Sequence, residues 1–135
     1  MRLGGVSHLF GAILGNVVTK QVGDQGEELV AQRLLDDGFI IVARNYRQQY
    51  GEIDIIAARA EVLAFVEVKV RARSPFGLDH LVPPAKQRKI GMVAREFLSS
   101  NNIIDKVCQF DVALIEHCGD HCGLTYIENA FTCDE

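Results

Sequence analysis

The chain has no run of eighteen apolar residues, so no membrane-spanning helix is expected. It has no internal repeat and no low-complexity tract, which argues against solenoids and simple-sequence linkers. It also lacks an excess of positive charge. Fourteen basic residues stand against eighteen acidic ones, a formal charge of −4, with a pI near 5.5. A surface coated in basic patches is therefore excluded, and a nucleic-acid partner would need a local basic region. Cysteine is sparse and poorly placed for stapling. Cys108, Cys118, Cys122 and Cys133 cluster toward the C-terminus instead of framing the chain. With 48% hydrophobic residues in 135, one domain can build its core without disulfides. The cysteines are read as reduced thiols, as in a cytoplasmic protein.

What is present is organised around residues 51–71, GEIDIIAARAEVLAFVEVKVR. β-Branched and apolar residues dominate two runs, 52–58 and 62–71, and a turn is expected over 59–61. Strand side chains alternate between faces. In the second run Val62, Ala64, Val66, Val68 and Val70 form one apolar face. Leu63, Phe65, Glu67, Lys69 and Arg71 form the other, which starts apolar and ends charged. If the strands pair with polar faces aligned, Asp54 and Glu67 converge and Lys69 shares their space. An exposed ion pair would also fit that pattern. The strongly hydrophobic flanks argue instead for charges at the edge of a core, where they need partners or a metal.

Residues 1–20 include LFGAILGNVV, which has the length of a signal-peptide core but no small-residue cleavage site after it. This segment is read as an extension, loosely docked on a single domain over 21–135. A helix is expected over 24–37, closed by Gly38. Its apolar stripe of Val30, Ala31, Leu34 and Leu35, carried back one turn, lands on Glu27. Residues 39–46 read as a strand, and 72–82 as a loop long enough to move over a site. Pro83 and Pro84 open a second helix to about residue 99 with Ile90, Val93, Ala94, Phe97 and Leu98 as its stripe. Lys86 and Gln87 continue that stripe one turn earlier. Asn101 and Asn102 break the helix, and strands follow over 109–116 and 124–131. The expected order is α-β-β-β-α-β-β, an α/β fold around one sheet.

Between residues 69 and 95 the bases Lys69, Arg71, Arg73, Lys86, Arg88, Lys89 and Arg95 face one acid, Asp79. Such an excess suits phosphate contact, which drives non-specific affinity for nucleic acid. Arg71, Arg73, Lys86, Arg88 and Lys89 are the expected contacts. The run from His117 to Cys122 holds two histidines and two cysteines within six residues. Zinc sites usually draw their ligand pairs from separate segments, so zinc is not expected here.

Glu27, Asp54 in GEID, and Glu67-Val68-Lys69 in FVEVK resemble the PD-(D/E)xK nuclease superfamily. The wider pattern resembles the YraN family, whose members are similar to archaeal Holliday-junction resolvases. It consists of GEELVA at 26–31, RNYR at 44–47, GEIDIIA at 51–57, FVEVKVR at 65–71, PAKQRKI at 84–90 and FDVALI at 110–115. Ile53 stands where the superfamily has its nominal proline, and the acid after it is kept. The resemblance implies a restriction-endonuclease-like domain, with helices flanking a central mixed sheet. It implies Mg2+ or Mn2+ held by Asp54, Glu67 and the Val68 carbonyl, with Glu27 on a metal-held water or a second ion. Lys69 would act on the attacking water, and Gln87 would support the site. The implied function is endonucleolytic hydrolysis of DNA, with branched DNA among the candidate substrates. The alternative is a non-catalytic nucleic-acid-binding or adaptor protein on the same fold. A homodimer would suit a four-way junction, which has two strands to cut.

Overall fold

The computed structural model describes residues 20–75, 77, 81–118 and 121–133. The extension expected before residue 20 lies outside them, as does much of the loop between residues 75 and 81. Among the described residues seven elements follow the expected order: α1 (Lys20–Asp36), β1 (Ile40–Gln48), β2 (Gly51–Arg59), β3 (Val62–Ala72), α2 (Pro84–Ser100), β4 (Val107–Cys118) and β5 (His121–Phe131). The strands form one mixed sheet in sequence order. Only β3 and β4 pair in parallel; the other three neighbouring pairs are antiparallel. Parallel neighbours need a crossover, and α2 provides it.

Each helix end has a local cause. Phe39 N–H bonds Leu34 O and Gly38 N–H bonds Leu35 O, at 2.9 and 3.0 Å. This pairing requires a left-handed residue after the helix, and Gly38 supplies it at φ 92°. Phe39 then packs in the same buried cluster as Leu34. Asn102, at φ 55°, ends α2 in the same way: its N–H bonds Ser99 O, and Ile103 N–H bonds Leu98 O. α1 starts four residues earlier than expected, so Gly23 and Asp24 lie inside it. A glycine and a cap-type residue are weak stops when the helix continues on both sides.

The sheet is covered on both faces. On one face Val30, Ala31 and Leu34 of α1 pack with Ile55, Ala57, Ala64, Val66, Ala113 and Ile115. On the other, Ile90, Val93, Ala94 and Phe97 of α2 pack with Ile53, Ile56, Leu63, Phe65, Val112 and Leu114. Leu35, expected on the buried stripe, is 48% exposed. It lies about 100° round the helix from Leu34, beyond the edge of the sheet contact. Among the described residues no helix is long and apolar enough to cross a membrane.

Candidate active site

The site forms where β2 leaves β3. Their ladder runs from Arg59↔Val62 to Ile55↔Val66 and stops, although both strands continue. Core packing shows the cause. Ile53 and Ile56 face α2, while Ile55 and Ala57 face α1. Strict alternation would put 53 and 55 on one face, so the phase changes at Asp54. There the Asp54 side chain replaces the ladder: Val68 N–H donates to Asp54 Oδ2 at 2.7 Å. A strand residue carries its N–H and C=O on the same edge. The Val68 carbonyl therefore faces the same opening.

Glu67 lies on the face of Leu63 and Phe65 and is only 6% exposed. A carboxylate this buried needs cations or donors. Lys86 Nζ stands 2.5 Å from Glu67 Oε2, and Lys69 Nζ 4.0 Å from the same oxygen. Lys86 reaches it because Pro84 fixes the start of α2, which places Lys86 in the first turn, over the sheet face that carries Glu67. Asp54 and Glu67 thus each give one oxygen to the protein. Among the described residues, Asp54 Oδ1 and Glu67 Oε1 have no hydrogen-bond partner.

The electrostatics follow from this crowding. Burial, then the charge of Glu67, push Asp54 from 3.8 up to about 8. Glu27 adds to the rise, while the Val68 N–H and Lys86 oppose it. The charge of Glu27 thus acts on Asp54 from the first turns of α1. Gly26 lets that part of the helix lie close to the sheet. A Cβ there would come 2.9 Å from Val70 Cγ2 and 3.6 Å from Ile115 Cδ1. Lys69 is lowered, first by burial and then by repulsion from Lys86. Burial also pulls Lys86 down, but the hydrogen bond and charge of Glu67 outweigh it, and Lys86 ends raised.

The structure thus brings Asp54, Val68, Glu67 and Lys69 together, with Glu27 acting on them through its charge. Gln87 does something else: its amide donates to Val82 O at 2.9 Å, tying down the segment before α2. Of the expected phosphate contacts, Arg71 pairs with Glu116 at 3.3 Å and Lys86 with Glu67. Arg73, Arg88 and Lys89 are exposed. The place of Lys86 beside Glu67 was missed in the sequence, although its position on the α2 stripe pointed inward. Also missed was a polar cluster around the fully buried Asp111. It accepts from Tyr126, Gln109 and the Asn129 N–H at 2.6, 3.0 and 2.9 Å. The signal was an acid sharing a face with Ala113 and Ile115. In the His117–Cys122 run, residues 119 and 120 and the side chains of 118, 121 and 122 lie outside the described structure.

A divalent cation can be tested against these donors. Among the described residues no three His, Cys, Asp or Glu side chains gather closely enough to hold a metal. The available set is two carboxylate oxygens and a backbone carbonyl. That hard-oxygen set, completed by water, suits Mg2+ or Mn2+ and gives no soft ligand for zinc.

Fold and site together define an α/β protein with a carboxylate–lysine cluster at the fork of its central hairpin. The chain belongs to the UPF0102 family: residues 26–115 match Uncharacterised protein family UPF0102. It is 34% identical over 114 residues to a UPF0102 protein of Methylobacillus flagellatus, covering 84% of this chain and 98% of the relative. A UPF0102 protein of Alkaliphilus metalliredigens is 36% identical over 115 residues, 84% of this chain and 100% of its own. One of Desulfosudis oleivorans is 40% identical over 113 residues, 83% and 90% of the two chains.

Proposed function

We propose that this protein is a metal-dependent nuclease that hydrolyses phosphodiester bonds in DNA. One observation carries the reading: Asp54 and Glu67 meet at the fork, each with an uncommitted oxygen, and Lys69 stands beside them. Asp54, Glu67 and the Val68 carbonyl would hold Mg2+ or Mn2+. When bound, such an ion neutralises charge at the phosphate and lowers the pKa of water. The chain's own groups do the rest. Lys86 fixes one oxygen of Glu67 and keeps that carboxylate oriented. Lys69, with its pKa lowered, gives up a proton more readily than a free lysine. It can therefore position the attacking water and exchange a proton with it. Glu27 holds a water at longer range. Arg73, Arg88 and Lys89 supply phosphate contacts, and Arg71, tied to Glu116, stiffens the strand end beneath them.

The test is a cleavage panel of single-strand, duplex, flapped and four-way-junction DNA with Mg2+ or Mn2+. Cleavage should fall by roughly a hundredfold or more in Glu67→Ala and in Lys69→Ala, the scale of losing a group that stabilises developing charge. Cleavage that survives both substitutions would overturn the assignment. The short Lys86–Glu67 pair favours a second reading, because it already neutralises one of the two acids. In that case the protein binds nucleic acid without cutting it, and binding with intact strands would be the result.

A further inference from the structure

A cavity of about 250 Å³ one strand away from Glu67 has no part in the chemistry above. Leu81, Val82, Gln87, Val112, Ile127 and Phe131 line it. It adjoins the site through both the sheet and the helix. Val112 stands directly across from Glu67 on the neighbouring strand, about 4.8 Å away. Val112, Ile127 and Phe131 also pack on the same sheet face as Leu63 and Phe65, the face that carries Glu67. Lys86 and Gln87 are consecutive in α2: the first reaches Glu67, and the second lines the cavity. A second cavity of about 410 Å³ also touches Gln87 and runs along α2 past Arg88, Gly91 and Arg95. Its far wall is the chain end. Cys133 Sγ donates to Gln87 O at 3.3 Å, and a Cβ on Gly91 would come 2.9 Å from Cys133 Cβ.

The two spaces suit different chemistry. Every side chain lining the inner cavity is apolar except Gln87. Phe131 ends a stacked run of Phe65, Phe110 and Phe131, with 5.4 Å between successive ring centroids. One amide nitrogen of Gln87 bonds Val82 O. Among the described residues its carbonyl oxygen has no partner. Apolar side chains beside the Gln87 amide and backbone polar groups are what an unstacked nucleobase requires: surfaces for its faces and hydrogen bonds for its edge. The volume falls just below the roughly 300–1,000 Å³ that houses drug-sized ligands. One ring system fits, and a base pair does not. The outer cavity offers two arginines about 10 Å apart along the helix, cations that can hold phosphate oxygens of one strand.

We infer that the inner cavity takes the base of an unpaired nucleotide beside the scissile phosphate. The outer cavity carries the phosphates of the strand that continues from it. This base site presupposes the nuclease reading and narrows its substrate to DNA with a single-stranded arm at the cut. A base held in a duplex stack cannot enter.

Binding would be measured by fluorescence anisotropy with Ca2+ in place of Mg2+, and strand integrity checked on a gel. The probes are a blunt duplex and the same duplex carrying an unpaired arm. Ala130→Phe narrows the cavity from an exposed lining position. Arg88→Ala with Arg95→Ala empties the outer one at two exposed positions. Armed DNA should bind roughly tenfold more tightly than blunt, the scale of one stacked base. Ala130→Phe should remove that preference and leave blunt binding unchanged. The arginine pair should weaken armed DNA more than blunt, which keeps the test sound if Ala130→Phe folds poorly. Equal binding of armed and blunt DNA by the wild type overturns the base site alone. So does an equal loss on both DNAs in the variants. Binding of neither DNA overturns the nuclease reading, and the base site falls with it.

Discussion

Two aspartates of this sheet take a backbone N–H where a ladder is interrupted, yet their surroundings are opposite. Asp54 takes the Val68 N–H where β2 leaves β3. Asp111 takes the Asn129 N–H where β5 bulges between Phe110↔Phe131 and Val112↔Ile127. Among the described residues Asp111 is held by donors: the Tyr126 hydroxyl and the Gln109 amide share its other oxygen. Around Asp54 there are acids, with Glu67 and Glu27 both raising its pKa. A buried carboxylate surrounded by donors holds a fold together. One that faces other carboxylates destabilises the fold until a proton or a cation arrives. The same backbone device thus serves architecture on β4 and chemistry on β2, with only β3 between them.

The largest expected effect is at Asp111. Asp111→Ala leaves three donors without their acceptor, two of them half-buried, and should cost about 3 kcal/mol in denaturant unfolding. A loss below about 1 kcal/mol, the worth of one ordinary hydrogen bond, would erase the contrast between the two aspartates.

Asp54 should behave in the opposite sense. Its folded pKa of about 8 lies above its ordinary 3.8, so the folded state holds the proton more tightly than the unfolded chain. Stability therefore falls as pH rises from about 4 to about 8 and stays reduced above that. With chelator present, Asp54→Asn should stabilise the protein by about 2 kcal/mol at pH 8, a figure discounted for partial solvent access. The gain should vanish near pH 4, and saturating Mg2+ should shrink it at pH 8. Thermal unfolding across that range reads all three outcomes, and a variant less stable than wild type at pH 8 would contradict the electrostatic account.

The smallest effect sharpens the comparison from the donor side. Burial, then the hydrogen bond to Asp111, raise the Tyr126 hydroxyl far above its usual range, so it stays a donor at any ordinary pH. Tyr126→Phe removes that one donor while Gln109 and Asn129 remain. It should cost about 1 kcal/mol, well below Asp111→Ala. Denaturant midpoints would show the ranking.

The organising hairpin was legible because its signals agree. Apolar alternation marked both strands, Ala60–Glu61 is the turn, and GEID and FVEVK placed the acids and Lys69. Gly38 and the paired asparagines marked the helix ends because each end needs a left-handed residue. What escaped depends on phase and on distance along the chain. Period-two reasoning assumes an unbroken pleat, but register slips at Val42 and in β5 beside Asp111, and a change of facing at Asp54, turn side chains to the other face. The bulge that gives Asp111 its third donor has no short sequence signature. Lys86 meets Glu67 only because the crossover helix folds back over the sheet face that carries Glu67. The sequence ranked Lys86 and Gln87 together as neighbours on one stripe, but only Lys86 reaches the carboxylate.

Gly26 has a consequence beyond packing. The close approach of α1 to Val70 is possible because this residue has no side chain, and Glu27 is the next one along. The influence of that third acid on Asp54 is therefore set by a neighbour that carries no charge. A single added methyl would act as a shim, lifting this turn of α1 away from Val70 and weakening the push on Asp54. Every ionisable group of the motif would still be in place, yet the pull on a cation would be different.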